Sequence, residues 1–238
     1  MTPRLVLTLG LRGSASTWSY NVARELMAAS CGADRVHACF AETTAALLAE
    51  RGALGRAVVC KTHGFADLPV LAHLTDARIV ATLRDPRDAV LSLMQRFGVP
   101  AEAAVRSVLP SCDLLRWCAD AGHPVLRYED RFFDAPATVD AISGHLGLPP
   151  DAAAHAAIFA AYRTDAVRAF AATVPDLPAD RLVSDGRVFC FDRLTQIHRT
   201  HIGDAGSGKW RTRFDAPARA QLAHLFAPFL ARFGYPAA

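Results

Sequence analysis

The chain has 238 residues, of which 52% are hydrophobic and 21% are charged, and its formal net charge is +3. These values predict one folded domain over residues 1–238 and exclude a disordered chain. The small net charge and the absence of long Lys/Arg runs argue against a nucleic-acid partner. No apolar stretch reaches the roughly 20 residues that span a bilayer, and the first apolar residues belong to a predicted strand, so we expect a cytoplasmic protein without a membrane span. The six cysteines lack zinc-site spacing, so we expect buried thiols and no metal.

Strands and helices alternate along the chain. Apolar runs predict strands at residues 4–9, 57–60, 78–83 and 124–129, and apolar spacing of three and four predicts helices at 19–27, 41–50, 87–97, 101–121, 137–146 and 217–233. Residues 152–191 are alanine-rich and then irregular, and are predicted to form a cap over the sheet. This order predicts a three-layer α/β fold, with a central parallel sheet flanked by helices.

The stretch from Gly10 to Trp18 follows the first strand and precedes the first helix. A helix N-terminus reached through such a turn offers unpaired backbone N–H groups to an anion, and Arg12, Ser16 and Thr17 add further donors. The alternative is an ordinary strand-to-helix turn. A Walker-type loop is disfavoured because no lysine precedes Ser16 or Thr17.

Polar groups follow the other three strands as well. They are Lys61 with His63, the segment 84–88, and the segment 128–130. Taken singly, each has a structural explanation: surface ion pairs within 84–88, or a hydrogen-bonded histidine at 63. The carboxyl ends of parallel strands meet at one edge of the sheet, which is where such folds bind ligands. The combination therefore favours a bisphosphorylated ligand at that edge.

These motifs resemble those of sulfotransferases that use 3′-phosphoadenosine-5′-phosphosulfate (PAPS). Residues 10–18, GLRGSASTW, resemble the family's P-loop-like 5′-phosphosulfate loop, usually Pro-Lys/Arg-Ser-Gly-Ser/Thr-Thr-Trp/Leu. Arg84 and Ser92, eight positions apart, match the arginine and serine that bind the 3′-phosphate. Lys61-Thr62-His63 is similar to the segment with the catalytic base in cytosolic members. The residues 208–211, GKWR, and the ending Phe-Gly-Tyr at 233–235 are similar to the family's C-terminal region.

The resemblance implies a set of ligand contacts on one donor, PAPS, with 3′-phosphoadenosine-5′-phosphate (PAP) as product and no metal. The implied contacts to the 5′ side and adenine are Arg12, Gly13, Ser14, Ala15, Ser16, Thr17, Trp18 and Tyr128. Those to the 3′-phosphate are Arg84, Ser92, Arg199, His201, Gly203 and Lys209, although Lys209 is equally explained as a solvated lysine.

The resemblance also implies catalytic roles. His63 is the expected general base, because a neutral imidazole accepts a hydroxyl proton at neutral pH. A gapless match places the family's loop cation at Gly13, whereas a one-residue insertion places it at Arg12, which we favour as the group that assists the leaving nucleotide. Lys61 either steadies the sulfuryl oxygens or faces the sheet.

The predicted function is transfer of a sulfuryl group from PAPS to a hydroxyl or amine of an acceptor. The acceptor is a small molecule, lipid or carbohydrate. Its pocket is predicted to include the segment after His63, residues 152–191, Phe40 and Phe65, with aromatic side chains at Phe159, Phe170, Phe189 and Phe191. The alternative function is a non-catalytic PAPS- or PAP-binding regulatory module. A small nucleotide kinase ranks third, because the loop lacks Gly-Lys-Ser/Thr.

Overall fold

Five strands form a parallel sheet at the centre of the molecule. The computed structural model describes residues 2–52, 56–184, 190–200, 202 and 206–237. The sheet order is β2-β3-β1-β4-β5. Its strands are β1 (Leu5–Gly10), β2 (Val36–Phe40), β3 (Ala57–Thr62), β4 (Arg78–Leu83) and β5 (Val125–Arg127). Strand β1 is buried along its whole length because it has a strand on each side and helices over both faces.

Helices cover both faces of the sheet. They are α1 (Ser16–Cys31), α2 (Thr44–Gly52), α3 (Leu68–Thr75), α4 (Pro86–Phe97), α5 (Ala101–Asp120), α6 (Ala137–His145), α7 (Ala152–Ala161), α8 (Thr164–Thr173), α9 (Trp210–Arg213), α10 (Ala216–Leu225) and α11 (Ala227–Phe233). Within the described residues, no helix is both long and apolar enough to cross a bilayer.

The alternation of side chains along β1 divides the core into two layers. Leu5, Leu7 and Leu9 pack with apolar residues of α4, α5 and α11, whereas Val6 on the opposite face packs with residues of α1, α6, α7 and α8. All six cysteines are free thiols, and five of them are buried, as the sequence predicts. The predicted three-layer α/β fold is confirmed.

The described residues of the segment 152–191 contain more regular structure than their composition suggests. They form α7 and α8, and then an antiparallel pair of strands, β6 (Leu182–Ser184) and β7 (Cys190–Asp192). Helix α7 packs against α1 and α6. The segment therefore extends one helical layer, and α8 reaches the rim of the sheet.

One predicted helix is divided in the structure, and two elements were not predicted. The predicted helix 217–233 is two helices, α10 and α11, that meet at Phe226. Pro228 lies in the first turn of α11, where the missing N–H is tolerated, but it cannot continue the hydrogen bonding of α10. Strand β2 and helix α3 are absent from the predicted elements, and β2 is an edge strand with mostly half-buried side chains.

The charged segment between β4 and α4 is buried rather than a set of surface ion pairs. Arg87 is completely buried and pairs with Asp85 through two bonds, Nε to Oδ1 at 2.9 Å and Nη2 to Oδ2 at 2.8 Å. Its guanidinium lies 3.7 Å from the centre of the Trp210 ring and donates to the carbonyls of Pro236 and Ala237. Arg87 thus fastens the C-terminal residues to α4, and the alternative explanation of 84–88 as surface ion pairs is wrong.

Candidate functional site

A cavity of about 450 Å³ lies at the carboxyl edge of the sheet. All four polar groups predicted from the strand ends reach it: the loop after β1, Lys61 and His63 after β3, Arg84 after β4, and Tyr128 after β5. The segment 206–209 closes the cavity from the C-terminal part of the chain. The structure therefore brings the four polar groups together at one edge of the sheet, as predicted.

The loop after β1 leads directly into the N-terminus of α1. Ala15, which stands where the resembling motif has glycine, adopts the left-handed conformation at φ 60° and ψ 27°. Ser16 and Thr17 then begin the helix, line the cavity, and have first-turn N–H groups without intrahelical acceptors. This end of the cavity is suited to an anion.

Ser14 does not line the cavity, in contrast to its predicted role as a ligand contact. Its hydroxyl lies 2.7 Å from the carbonyl of Leu11 and 2.8 Å from the hydroxyl of Thr82. Its backbone N–H donates to Leu11 as well. Ser14 therefore holds the shape of the loop against β4.

Arg84 and Ser92 converge on Gly13. A Cβ built on Gly13 would lie 3.2 Å from Ser92 Oγ and 3.6 Å from Arg84 Nη1, and Gly13 has φ +79°. The guanidinium donates to the carbonyls of Gly13 and Gly206, at 2.8 and 3.2 Å, and its buried Nε has no acceptor among the described residues. A side chain at position 13 would be strained and would crowd this corner, which is compatible with the interpretation that Arg12 is the basic residue of the loop.

The segment 206–210 is held over this corner by Asp88. This buried carboxylate accepts from the N–H groups of Gly208 at 2.5 Å and Trp210 at 3.0 Å. Lys209 lines the cavity and its side chain lies over Gly206. The placement of Lys209 is therefore compatible with the predicted phosphate contact.

Arg199 is not brought to the cavity, although it is a predicted contact. Its side chain is exposed, while its neighbours His198 and Thr200 line the cavity. His198 is positioned by an antiparallel bridge to Phe191. The predicted contacts His201 and Gly203 lie outside the described residues.

Aromatic rings form the wall beside Arg84. The Tyr128 ring lies 4.4 Å from the Arg84 guanidinium carbon. Trp18 packs edge-on against Phe132, and its Nε1 is buried without an acceptor among the described residues. Tyr128 and Trp18 both line the cavity, so a flat ring has an aromatic surface to pack against.

Lys61, the penultimate residue of β3, and His63, the residue directly after that strand, both line the cavity. His63 Nδ1 lies 2.7 Å from the carbonyl of Gly10. A carbonyl only accepts, so Nδ1 carries the proton and Nε2 keeps its lone pair. Ser111 fixes the backbone here by donating to the His63 carbonyl at 2.6 Å.

The pKa values of Lys61 and His63 are both lowered from their ordinary values. Burial, followed by the charges of Lys61 and Arg12, holds the pKa of His63 well below its ordinary value. Burial, followed by the charges of Arg96 and Arg12, lowers the pKa of Lys61 to about 7. His63 is therefore a neutral imidazole at physiological pH, and Lys61 is close to half-charged.

Arg12 lies on the cavity and forms an ion pair with Glu42. Its Nη2 is 2.5 Å from Glu42 Oε1, and its side chain is 31% exposed. Glu42 follows β2, the strand that the sequence analysis missed, so this partner was not predicted. Arg12 is close enough to Lys61 and His63 to lower the pKa of both.

Two basic residues that line the cavity were missed, Arg96 and His198. Arg96 is four residues after Ser92 on α4, a spacing that places both on one helix face and that the sequence already contained. His198 had no local signal, because its position depends on the bridge to Phe191. Among the described residues, no cluster of His, Cys, Asp or Glu side chains is arranged to hold a metal ion.

Three of the six phenylalanines predicted for an acceptor pocket belong to the core. Phe65 is buried in one core layer, and Phe159 and Phe170 pack against the other. Phe40 is 37% exposed, with its ring centre 5.9 Å from that of His63. Phe191 packs against His198 at 4.9 Å, and Phe189 lies outside the described residues.

Comparison with known proteins identifies the fold. No family model and no curated protein sequence matches the chain. Among solved structures, mouse sulfotransferase SULT7A1 complexed with PAP has a TM-score of 0.68 at 14% identity, over 96% of this chain and 84% of that one. Retinol dehydratase in a complex with retinol and PAP has a TM-score of 0.61 at 15% identity, over 97% of this chain and 82% of that one. The chain therefore has the sulfotransferase fold.

Proposed function

We propose that this chain is a sulfotransferase that moves a sulfuryl group from PAPS to a hydroxyl or amine of an acceptor. The observation that carries the proposal is the convergence of two anion-binding corners and a neutral histidine on one cavity. One corner is the N-terminus of α1, and the other is formed by Arg84 and Ser92. The sulfotransferase fold, with PAP present in the similar solved structures, supports the same conclusion.

The residues present fit a doubly phosphorylated adenosine. Ser16, Thr17 and Arg12 would hold the 5′-phosphosulfate, since helix N-termini and guanidinium groups both favour anions. Arg84 and Ser92, with Lys209, would hold the 3′-phosphate. The buried Nε of Arg84 and Nε1 of Trp18 are donors left without acceptors among the described residues, and buried donors of this kind favour a ligand that supplies acceptors.

In the proposed reaction, His63 Nε2 accepts the proton of the acceptor hydroxyl. The acceptor oxygen forms a bond to sulfur while the bond from sulfur to the 5′-phosphate oxygen breaks, so that negative charge develops on that oxygen and PAP leaves. Arg12 and the charged form of Lys61 are the cations placed to stabilise that charge. The proton on Nδ1, held by Gly10, fixes the tautomer in which Nε2 is the base.

Incubation with 35S-labelled PAPS and a mixture of phenols, amines and sugars tests the proposal. We expect labelled product and PAP to form in equal amounts, and only when acceptor is present. PAP binding without any transfer would instead establish the regulatory-module alternative. The orientation of His63 favours the enzyme, because a binding module has no use for a free imidazole lone pair at the reacting end.

Replacing Arg84 with glutamine is expected to weaken PAP binding about 10- to 150-fold, since a charge-assisted hydrogen bond contributes roughly 1.5–3 kcal/mol. The variant should bind AMP, which lacks the 3′-phosphate, nearly as well as the wild type does. Calorimetric titration of both proteins with both nucleotides measures this. An equal loss for PAP and AMP would show that Arg84 does not contact the 3′-phosphate.

PAP affinity is expected to fall as the pH rises from 7 to 8.5. The pKa of Lys61 is lowered to about 7, so Lys61 of the free protein loses its positive charge over that range. The affinity for PAP should therefore fall by at most about tenfold per pH unit. The variant Lys61→Met should bind more weakly at pH 7 and lack the decline. Titration at three pH values tests this, and an identical decline in both proteins would contradict the assignment.

A further inference from the structure

The main chain that follows β3 is in close contact with helix α5. Ser111 of α5 donates from Oγ to the carbonyl of His63 at 2.6 Å. The next residue along the chain, Gly64, has φ +109°, and a Cβ built on it would collide with the side chain of Leu114. Ser111 and Leu114 lie three positions apart and therefore on one face of α5. Glycine at position 64 thus lets this face come close enough for Ser111 to reach His63.

The bond from Ser111 is directed across the fold rather than along its own helix. A serine inside a helix can donate to the carbonyl four residues earlier, which here belongs to Ser107. Ser111 is buried, with 2% of its surface exposed, and a hydroxyl has one proton to donate. Since the His63 carbonyl can only accept, that proton is committed to a residue 48 positions away in the sequence. Helix α5 therefore supports the segment after β3 through a specific contact as well as through packing.

His63 is held at two points, one on the main chain and one on the ring. Ser111 holds the carbonyl, and the ring Nδ1 donates to the carbonyl of Gly10 at 2.7 Å. Beside these contacts, the N–H of Gly64 donates to Thr62 Oγ1 at 2.9 Å and stabilises the turn that carries the histidine. The bond to the carbonyl restrains the backbone from which the side chain starts, and the bond to Nδ1 restrains the rotation of the ring. Together they define where Nε2 lies.

We infer that Ser111 is a positioning residue for sulfuryl transfer, which acts through His63 and touches neither substrate. This inference rests on the proposed sulfotransferase function. A general base must come within about 2.6–3.2 Å of the proton that it accepts, and a displacement of about 1 Å can lower the rate about 10²-fold. Ser111 is not among the described residues that line the cavity. Its loss therefore changes the position of Nε2 and leaves the donor contacts at Ser16 and Arg84 in place.

Replacing Ser111 with alanine tests this role. At saturating PAPS, transfer of 35S from labelled PAPS to the mixture of phenols, amines and sugars should be about 10- to 100-fold slower than in the wild type. PAP affinity, measured by calorimetry, should stay within about twofold, because the contacts to the donor are intact. Ser107→Ala removes a hydroxyl one turn earlier on the same helix. It is the matched control, and we expect the wild-type rate and the wild-type PAP affinity.

A double-mutant cycle separates positioning of the base from a general structural role. If Ser111 acts through His63, Ser111→Ala should cause no further loss of rate in a protein that already carries His63→Asn. An equal loss in both backgrounds, a wild-type rate in Ser111→Ala, or a parallel fall in rate and PAP affinity would overturn the inference and leave the proposed function intact. A wild-type protein that forms no labelled product would overturn the proposed function, and this inference with it.

Discussion

Replacing His63 with asparagine is expected to lower kcat by about 10²–10⁴-fold, the usual contribution of a positioned general base. The asparagine amide can still donate to the Gly10 carbonyl, which His63 Nδ1 contacts at 2.7 Å, but it offers no basic nitrogen at the Nε2 position. The loop should therefore keep its shape and PAP affinity should stay within about twofold. Steady-state turnover of PAPS, together with a PAP titration, measures both quantities.

The pH dependence adds a second observation on the same residue. Burial and the charges of Lys61 and Arg12 lower the pKa of His63, so the wild-type kcat/KM should reach its plateau below pH 6.5 as the pH rises. The acidic limb should vanish in His63→Asn. A variant with wild-type turnover, or one that loses PAP affinity in parallel with kcat, would contradict the assignment of His63 as the base.

Replacing Arg87 with alanine is expected to lower the free energy of unfolding by about 3–5 kcal/mol, because it leaves the buried carboxylate of Asp85 without its partner. The variant also lacks the packing of the Arg87 guanidinium on Trp210 and its hydrogen bonds to the carbonyls of Pro236 and Ala237. Urea unfolding of the variant and the wild type measures the loss. Since small domains are stable by about 5–15 kcal/mol, the variant is expected to unfold at low urea concentration.

Two further variants separate a charge effect from a general packing effect. Asp85→Asn combined with Arg87→Met removes both charges and should cost much less than Arg87→Ala alone. Arg84→Gln, three residues earlier, should change stability less and PAP affinity more. If Arg87→Ala left stability unchanged, or if the double variant were no more stable than the single one, the buried ion pair would not have the role described.

The parts of the site that could be predicted are those encoded by short spacings. Arg84 and Ser92 lie on one strand-turn-helix unit, and Ser16 and Thr17 begin the helix that follows β1. Their relative positions follow from local geometry. Lys61 lies near the end of β3 and His63 directly follows that strand, so a separation of two residues keeps both side chains at the same edge of the sheet.

The site residues that were predicted wrongly or missed depend on contacts between residues distant in sequence. Ser14 was expected to face the ligand, but its hydroxyl contacts Thr82, 68 residues away. Arg199 was expected to contact the ligand, but the residue that lines the cavity is His198, which forms a bridge with Phe191. Glu42 was missed with β2, an edge strand whose half-buried side chains lack a clear apolar alternation.

The most direct test of the central claim is a calorimetric titration of the wild-type protein with PAP. If the N-terminus of α1 and the pair Arg84 and Ser92 hold the two phosphates of one nucleotide, PAP binds with a stoichiometry of one, and AMP binds at least about tenfold more weakly. Failure to bind PAP, or equal affinity for PAP and AMP, would contradict the account.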